Sequence, residues 1–121
     1  ALFEAWGKAA PLPSLGPWLE DGDIESAYKV QHALHRRFEA HGRRQVGWKV
    51  GVTSPAAMAA MGAAEPMVGI IYADSILSSD DAFDPNRGCA PKLEGELLVE
   101  FGTMPAGAID LASARASVAS I

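Results

Sequence analysis

Two glutamates in the last third of the sequence stand two positions apart. Glu94 and Glu96 lie in an alternating apolar run, residues 92–101, which is typical of a β-strand. Residues two apart in a strand project from the same face with Cα atoms about 6.5 Å apart, so both carboxylates can reach one cation. Because Mg²⁺ and Mn²⁺ prefer oxygen ligands, the pair is a candidate catalytic metal site. The alternative is an exposed edge strand whose charges deter aggregation.

A lysine in the first half of the sequence lies in a second alternating segment, residues 45–52. If this segment is a strand, Lys49 points away from the valines and tryptophan, and its neighbours on its own face are Gly47 and Gly51. These glycines leave space beside the amine, where an anionic substrate could approach and exchange a proton. Strand lysines are also commonly surface groups whose heads stay in water, so the spacing leaves both interpretations open.

Thr53 and Ser54 directly follow this predicted strand. Ser54 stands before Pro55 and a short apolar run that ends at Gly62, which predicts a capped helix. Exposed N–H groups at a helix start also attract carboxylates, so Thr53 and Ser54 are candidates for substrate binding as well. Helix capping is the preferred interpretation of the two.

The elements that position these residues include one well-defined helix. Apolar residues recur at helical spacing from Asp23, a plausible N-cap, to Phe38, and Gly42 stands where a left-handed C-terminal residue is expected. Residues 1–10 predict a short helix that the following proline-rich segment must end. A last helix is expected from about Ala108. These helices and the two strands indicate the α+β class.

Composition excludes several classes of protein. Lys and Arg total 10 against 15 Asp and Glu, a net charge of −5, so no broad basic surface is expected and nucleic acid is not a predicted partner. No apolar run approaches the roughly 18–20 residues that span a bilayer, which predicts no membrane association. The single cysteine, Cys89, cannot form an internal disulfide, which fits a reducing compartment, and we expect a cytoplasmic protein. Phosphate-binding and serine-hydrolase motifs are missing from the sequence.

Four segments in fixed order resemble the bacterial 2-keto-4-pentenoate hydratase family. They are IESAYKVQ, GWKVGVTSPAAMAAMG, PMVGIIYADSI and APKLEGELLVEFG. Members of that family have an A-Y-x-x-Q helix, a G-x-K-x-G-x-T-S strand and helix start, and a P-K/R-x-E-x-E strand. The family includes 4-oxalocrotonate decarboxylases and lies in the fumarylacetoacetate-hydrolase-like superfamily, and the resemblance covers the chain from end to end.

The resemblance implies a metal-dependent lyase of aromatic meta-cleavage catabolism, which adds water to 2-keto acids of the 2-hydroxypenta-2,4-dienoate type. It implies acid/base chemistry for Lys49 and binding of Mg²⁺ or Mn²⁺ by Glu94 and Glu96, with a later aspartate that has no match here. It also implies a homo-oligomer with a small-molecule 2-keto acid as substrate. The expected fold has N-terminal helices, residues 1–44, packed on part of a mixed β-sandwich roll, residues 45–121.

Two departures from the family pattern leave alternatives open. Family members are considerably longer, so the second half of the roll is expected to be missing, and a non-catalytic association module is one alternative. Many hydratases have P-D-F-G where this sequence has Pro66, Met67, Val68 and Gly69. Since decarboxylases of this branch also have an apolar residue at the second position, a 4-oxalocrotonate-type decarboxylase is another alternative. A C–C hydrolase or acylpyruvase would need a water-activating His/Glu pair that the sequence does not reveal.

Overall fold

The computed structural model describes residues 1–12, 14, 19, 22–103 and 109–121. Its helices are α1 (Leu2–Gly7), α2 (Ile24–Ala40), α3 (Pro55–Met61) and α4 (Leu111–Ala116). Its strands are β1 (Gln45–Gly51), β2 (Met67–Tyr72), β3 (Glu100–Phe101) and β4 (Val118–Ser120). Short 3₁₀ helices cover Ala73–Ser75 and Pro85–Arg87. This mixture confirms the α+β class, while the sandwich roll stays a prediction.

The chain forms two compact units, Ala1–Ala90 and Pro91–Ile121. In the first unit, β1 and β2 pair antiparallel, with α3 in the connection between them, and this strand pair is called the β1–β2 hairpin below. In the second unit, β3 pairs antiparallel with β4. The sequence predicted a different boundary, at residue 44, between N-terminal helices and the first part of a β-roll. That boundary stays a prediction. Among the described residues, no helix combines the length and the apolar character that crossing a membrane requires.

Helix α2 begins and ends where its sequence signals predict. The Asp23 carboxylate accepts a hydrogen bond from the Ser26 backbone N–H at 2.9 Å, which satisfies one of the unpaired donors of the first turn. Hydrogen bonding to Ser26, first through its side chain and then through its backbone, lowers the pKa of Asp23 below its usual value. At the other end Gly42 has φ 85°, a conformation that glycine adopts without steric cost. Part of the proline-rich segment, including Pro13 and Pro17, lies outside the described residues, as does Ala108.

The core of the first unit surrounds one arginine. The guanidinium carbon of Arg43 lies 4.0 Å from the ring centroid of Trp6, 4.2 Å from that of Tyr72 and 4.8 Å from that of Phe38. Phe38 and Tyr72 are the most buried apolar residues described, and their rings pack edge to face at 5.4 Å. Arg43 also donates two hydrogen bonds to the Asp74 carboxylate, at 2.8 and 2.7 Å. The positive charge of the guanidinium is therefore paired with the Asp74 carboxylate, while the planar group also contacts the aromatic rings.

Strand β1 ends one residue earlier than the alternating pattern predicts. Its last residue is Gly51, because Val52 adopts φ 57° and turns the chain out of the strand. A left-handed conformation is a true outlier for a β-branched residue, since its side chain crowds the backbone there. Alternation of apolar residues does not reveal such a turn, so residue 52 was wrongly included in the predicted strand.

The strand predicted for residues 92–101 is wrong over most of its length. Only Glu100–Phe101 forms a strand, and residues 91–99 form neither helix nor strand. A strand persists where its backbone groups pair with a neighbour, and within the described part of the second unit β4 pairs only with the last two positions. Leu93 and Leu97 are accordingly 100% and 86% exposed. The apolar alternation is typical of a strand, but in the described part of the second unit the strand pairing covers only Glu100 and Phe101.

We expect Asp74→Asn to destabilise the first unit, because Arg43 loses a charged acceptor. The loss should be limited to about 1–2 kcal/mol, since the Asp74 side chain is half exposed and water screens the ion pair. Arg43 holds the pKa of Asp74 below its ordinary value of 3.8, so the ionised form stabilises the fold. The difference from wild type should be complete above about pH 5 and should shrink as the pH falls through the lowered pKa. Urea unfolding from pH 3 to 7 measures it. Asp80→Asn, an exposed control, should have little effect, and a pH-independent difference would contradict the prediction.

Candidate functional site

Lys49 lies at the centre of an open face of the β1–β2 hairpin. Directly opposed residues of antiparallel strands share a face, and the register places Lys49 opposite Gly69. Gly47 and Gly51 flank Lys49 along β1 on this face, opposite Ile71 and Met67. The lysine is exposed, and its Nζ lies 3.4 Å from the Val50 carbonyl oxygen. Three of its nearest positions on that face thus have no side chain; Gly69 was missed by sequence reasoning because only the strand register reveals it.

The opposite face of the hairpin is apolar and partly open. It includes Val46, Trp48, Val50 and Val68, each between 38% and 53% exposed. The alternating pattern of β1 therefore describes the two faces correctly, although this unit alone leaves the apolar one incompletely covered. The lysine face and the apolar face remain distinct surfaces.

Helix α2 covers the free edge of β2. The Val68 backbone N–H donates to the Tyr28 hydroxyl at 2.9 Å, and Gln31 Nε2 donates to the Val68 carbonyl at 3.0 Å. Tyr28 and Gln31 are three positions apart, so they share a helix face and can reach one backbone residue. From the sequence, Tyr28 and Gln31 were interpreted only as part of the helical pattern, and their hydrogen bonds to β2 were missed. The signal was present in the A-Y-x-x-Q pattern, since two polar side chains three positions apart on a partly buried helix face can bond to one neighbouring element.

Further along α2, His35 meets the end of β2. Its Nδ1 lies 3.0 Å from the Tyr72 hydroxyl, and its Nε2 lies 3.4 Å from a Glu39 carboxylate oxygen. Burial raises the pKa of Tyr72 above its usual value, partly offset by the charge of Arg43. Both nitrogens of His35 are thus engaged and its side chain is 17% exposed, so this His/Glu pair is built to support the core rather than to activate a water.

A shallow open cleft of about 140 Å³ lies between α2 and the start of β2. Its lining is mostly apolar: Ile24, Ala27, Tyr28, Gln31, Met67 and Val68. The polar tips of Tyr28 and Gln31 already bond to Val68. Met67, at the position where many hydratases have an aspartate, therefore lies in apolar surroundings that suit a thioether side chain.

Ser54 caps α3 as predicted. Its hydroxyl oxygen accepts a hydrogen bond from the Ala57 backbone N–H at 3.1 Å, Pro55 begins the helix, and Gly62 ends it with φ 63°. Thr53 is exposed, directly after the strained Val52. The capping interpretation of Ser54 is confirmed; substrate binding by Thr53 and Ser54 stays a prediction.

Glu94 and Glu96 lie in the second unit, both exposed, in the segment without strand pairing. Carboxylate oxygens are the donors that a hard divalent cation prefers, so the two side chains fit such an ion in type. Across the described residues, no group of three or more His, Cys, Asp or Glu is placed to hold a metal ion. The pair is thus two candidate ligands of an incomplete set.

The described residues form an α+β chain with an exposed lysine on a glycine-rich strand face in the first unit and two exposed glutamates in the second. No family model matches the sequence. The chain is 36% identical over 101 residues to 2-keto-4-pentenoate hydratase 2 of Dechloromonas aromatica, covering 84% of this chain and 38% of that protein. It is 30% identical over 101 residues to the TodF product hydratase of Pseudomonas putida, with the same coverage.

A decarboxylase matches as well. The 4-oxalocrotonate decarboxylase of Pseudomonas sp. strain CF600 is 36% identical over 86 residues, which cover 71% of this chain and 33% of that protein. These similarities support assignment to the family of 2-keto-4-pentenoate hydratases and 4-oxalocrotonate decarboxylases. The chain spans between 33% and 38% of the length of these three relatives.

We expect Tyr28→Phe to weaken the attachment of β2 to α2 by about 1 kcal/mol, because the Val68 N–H loses its acceptor. Amide hydrogen exchange at Val68 should become roughly five-fold faster, as measured by NMR. His32→Gln, an exposed change on the same helix, is the control and should leave that amide unchanged. Equal exchange at Val68 in wild type and Tyr28→Phe would contradict the role given to the tyrosine.

Proposed function

We propose that this chain contributes acid/base and metal-binding residues to a metal-dependent hydratase that adds water to 2-hydroxypenta-2,4-dienoate-type 2-keto acids. The observation that carries the proposal is the exposed lysine on the open glycine face of the hairpin. The names of the relatives, two hydratases among them, support the substrate class. The proposed setting is a cytoplasmic homo-oligomer with a small-molecule substrate and without nucleic acid or membrane partners.

Lys49 is the proposed proton-transfer residue. Its ammonium form attracts the carboxylate of a 2-keto acid and can donate a proton to the conjugated chain, and the neutral amine form can accept one from it. Hydration then requires a proton shift that gives an unsaturated ketone, followed by addition of water to give a 4-hydroxy-2-keto acid. Gly69, directly opposite the lysine, and Gly47 and Gly51 beside it on β1 leave space next to the amine, between the Ile71 and Met67 side chains of the same face.

Glu94 and Glu96 are the proposed ligands of Mg²⁺ or Mn²⁺, with further ligands from outside the described set. When bound, such an ion would stabilise negative charge on the 2-oxygen of the keto acid. Two carboxylates supply two negative charges and up to four oxygens, which favours a divalent cation over other partners. Thr53 is a further candidate for contact with the substrate carboxylate, and Ser54, whose hydroxyl already caps α3, is a weaker one.

The second candidate function is decarboxylation of a 4-oxalocrotonate-type substrate. Two observations favour it: the similarity to a 4-oxalocrotonate decarboxylase and the apolar setting of Met67. Loss of CO₂ leaves an electron pair that the same conjugated keto acid can accept, so both reactions place similar demands on the lysine and the cation. They differ in the product, which makes product identity the decisive measurement.

We expect the protein that carries this chain to convert 2-hydroxypenta-2,4-dienoate to a 4-hydroxy-2-keto acid in the presence of Mg²⁺ or Mn²⁺, measured by chromatography with and without chelator. Lys49→Met should lower kcat/KM by about 10²–10⁴-fold, because the proton-transfer group is lost. Lys29→Met, which removes an exposed lysine of α2, is the control and should retain activity. CO₂ release from 4-oxalocrotonate without hydration would favour the second candidate, and full activity of Lys49→Met would overturn the lysine's role.

We expect Glu94→Gln to weaken Mn²⁺ binding at least about tenfold, since removing a direct ligand should cost no less than removing a residue that only orients one. The control is Glu100→Gln, a nearby change in β3, where the carboxylate accepts a hydrogen bond from the Ser120 hydroxyl. Calorimetric titration with Mn²⁺ measures the affinity, and circular dichroism checks the fold. Equal affinity for Mn²⁺ in Glu94→Gln and wild type would remove the glutamate from the proposed site.

A further inference from the structure

The three glycines around Lys49 are not required by the backbone conformation. Among the described residues the glycines with positive φ are Gly22, Gly42 and Gly62, so those beside the lysine have conformations open to any residue. Glycine in a strand interior loses more conformational freedom on folding than alanine does and costs roughly 0.5–1 kcal/mol. It also brings no side chain to pack against neighbours. The hairpin would thus be more stable with other residues here.

Space within the described residues does not require these glycines either. A Cβ added at Gly69 would lie 4.0 Å from the Lys49 Cβ and carbonyl oxygen, and one at Gly47 would lie 4.0 Å from the Ile71 side chain. At Gly51 an added Cβ meets nothing within 4 Å. These are ordinary van der Waals separations. Gly102 differs, because an added Cβ would lie 3.3 Å from Ala119, so packing explains that glycine.

Two further features fix the glycine face in place. Tyr28 and Gln31 hold the backbone of Val68, the residue before Gly69, so the strand opposite the lysine is attached to α2. Val52, one residue beyond Gly51, has a strained left-handed backbone. Such strain persists where the surrounding structure enforces it and is concentrated near functional sites. A stretch of bare backbone at Gly69, attached to α2 through Val68 and lying beside the lysine, is suited to a flat ligand with negative charge.

We propose that Gly69, between Ile71 and Met67 on β2, is a floor of bare backbone on which a planar conjugated carboxylate lies flat beside the Lys49 amine, while Gly47 and Gly51 leave space on either side of the lysine. In this proposal the glycines are specificity-determining residues, since any side chain would lift a planar substrate from the strand backbone. The inference rests on the proposed function in one respect, because it takes Lys49 as the group that meets the substrate. A segment of protein covering the same face is the competing occupant.

The test combines stability with kinetics. Gly69→Ala should unfold at an equal or higher urea concentration than wild type, because alanine fits the strand better, yet it should raise KM for 2-hydroxypenta-2,4-dienoate about tenfold. Gly69→Val should raise KM further. Val50→Ile adds one methyl group to the opposite face and is the control, with KM unchanged. A loss of stability in Gly69→Ala would show that the glycine is structural, and an unchanged KM in Gly69→Val would show that the substrate does not lie there; either result overturns the proposal.

Binding of unreactive probes separates this proposal from the proposed function. Sorbate is a planar conjugated carboxylate and hexanoate is a flexible one of the same length. Sorbate should bind more tightly and shift the NMR amide signals of Gly47, Gly51 and Gly69, and Gly69→Val should abolish both effects. Such binding without turnover of either substrate would retain the floor and reject the proposed function. Turnover without any effect of sorbate on the glycine signals would reject the floor and retain the function, and sorbate and hexanoate binding equally would also reject it.

Discussion

The packing of Arg43 among three aromatic rings, with its guanidinium bonded to Asp74, is the interaction on which the first unit depends. Arg43 follows α2 and precedes β1, and its own N–H donates to the Phe38 carbonyl at the helix end. Asp74 follows β2, so one ion pair joins the end of the helix, the start of one strand and the end of the other. The Ala73 N–H also donates to the Arg44 carbonyl at 2.9 Å, which extends this junction through the backbone. The register shifts once between Gln45 and Gly47, and beyond that irregularity Lys49 pairs with Gly69.

A two-stranded hairpin is marginal in water, and α2 supplies the support that a third strand would otherwise give. Tyr28 and Gln31 bond to Val68, and His35 and Phe38 contact Tyr72, so successive turns of the helix follow successive residues of β2. Side chains thereby satisfy backbone groups of an edge strand that would attract another chain. The same arrangement leaves the lysine face uncovered, because the helix lies along the strand edge.

Local signals in the sequence predicted the elements that local chemistry decides. Asp23 and Gly42 bound α2, and Ser54 and Pro55 begin α3, because capping involves residues only a few positions apart. The turn at Val52 could not be predicted, since a β-branched residue adopts that conformation only when other parts of the fold enforce it. The place of Gly69 opposite Lys49 was equally hidden, because register depends on long-range pairing. The bonds of Tyr28 and Gln31 required knowledge of which strand the helix meets.

The pair formed by Glu94 and Glu96 illustrates the same limit at the level of chemistry. Residue type and spacing are enough to identify two cation donors, but strand pairing decides whether both carboxylates point to one place. In the described part of the second unit that pairing begins only at Glu100, and the preceding leucines are exposed. When a cation binds to a segment that has no neighbouring strand, its binding free energy must also offset the conformational entropy lost as the backbone and the two glutamate side chains are fixed. A partner strand along residues 92–99 would remove that cost, align the carboxylates on one face and bury Leu93 and Leu97 on the other, so metal affinity and strand formation should rise together.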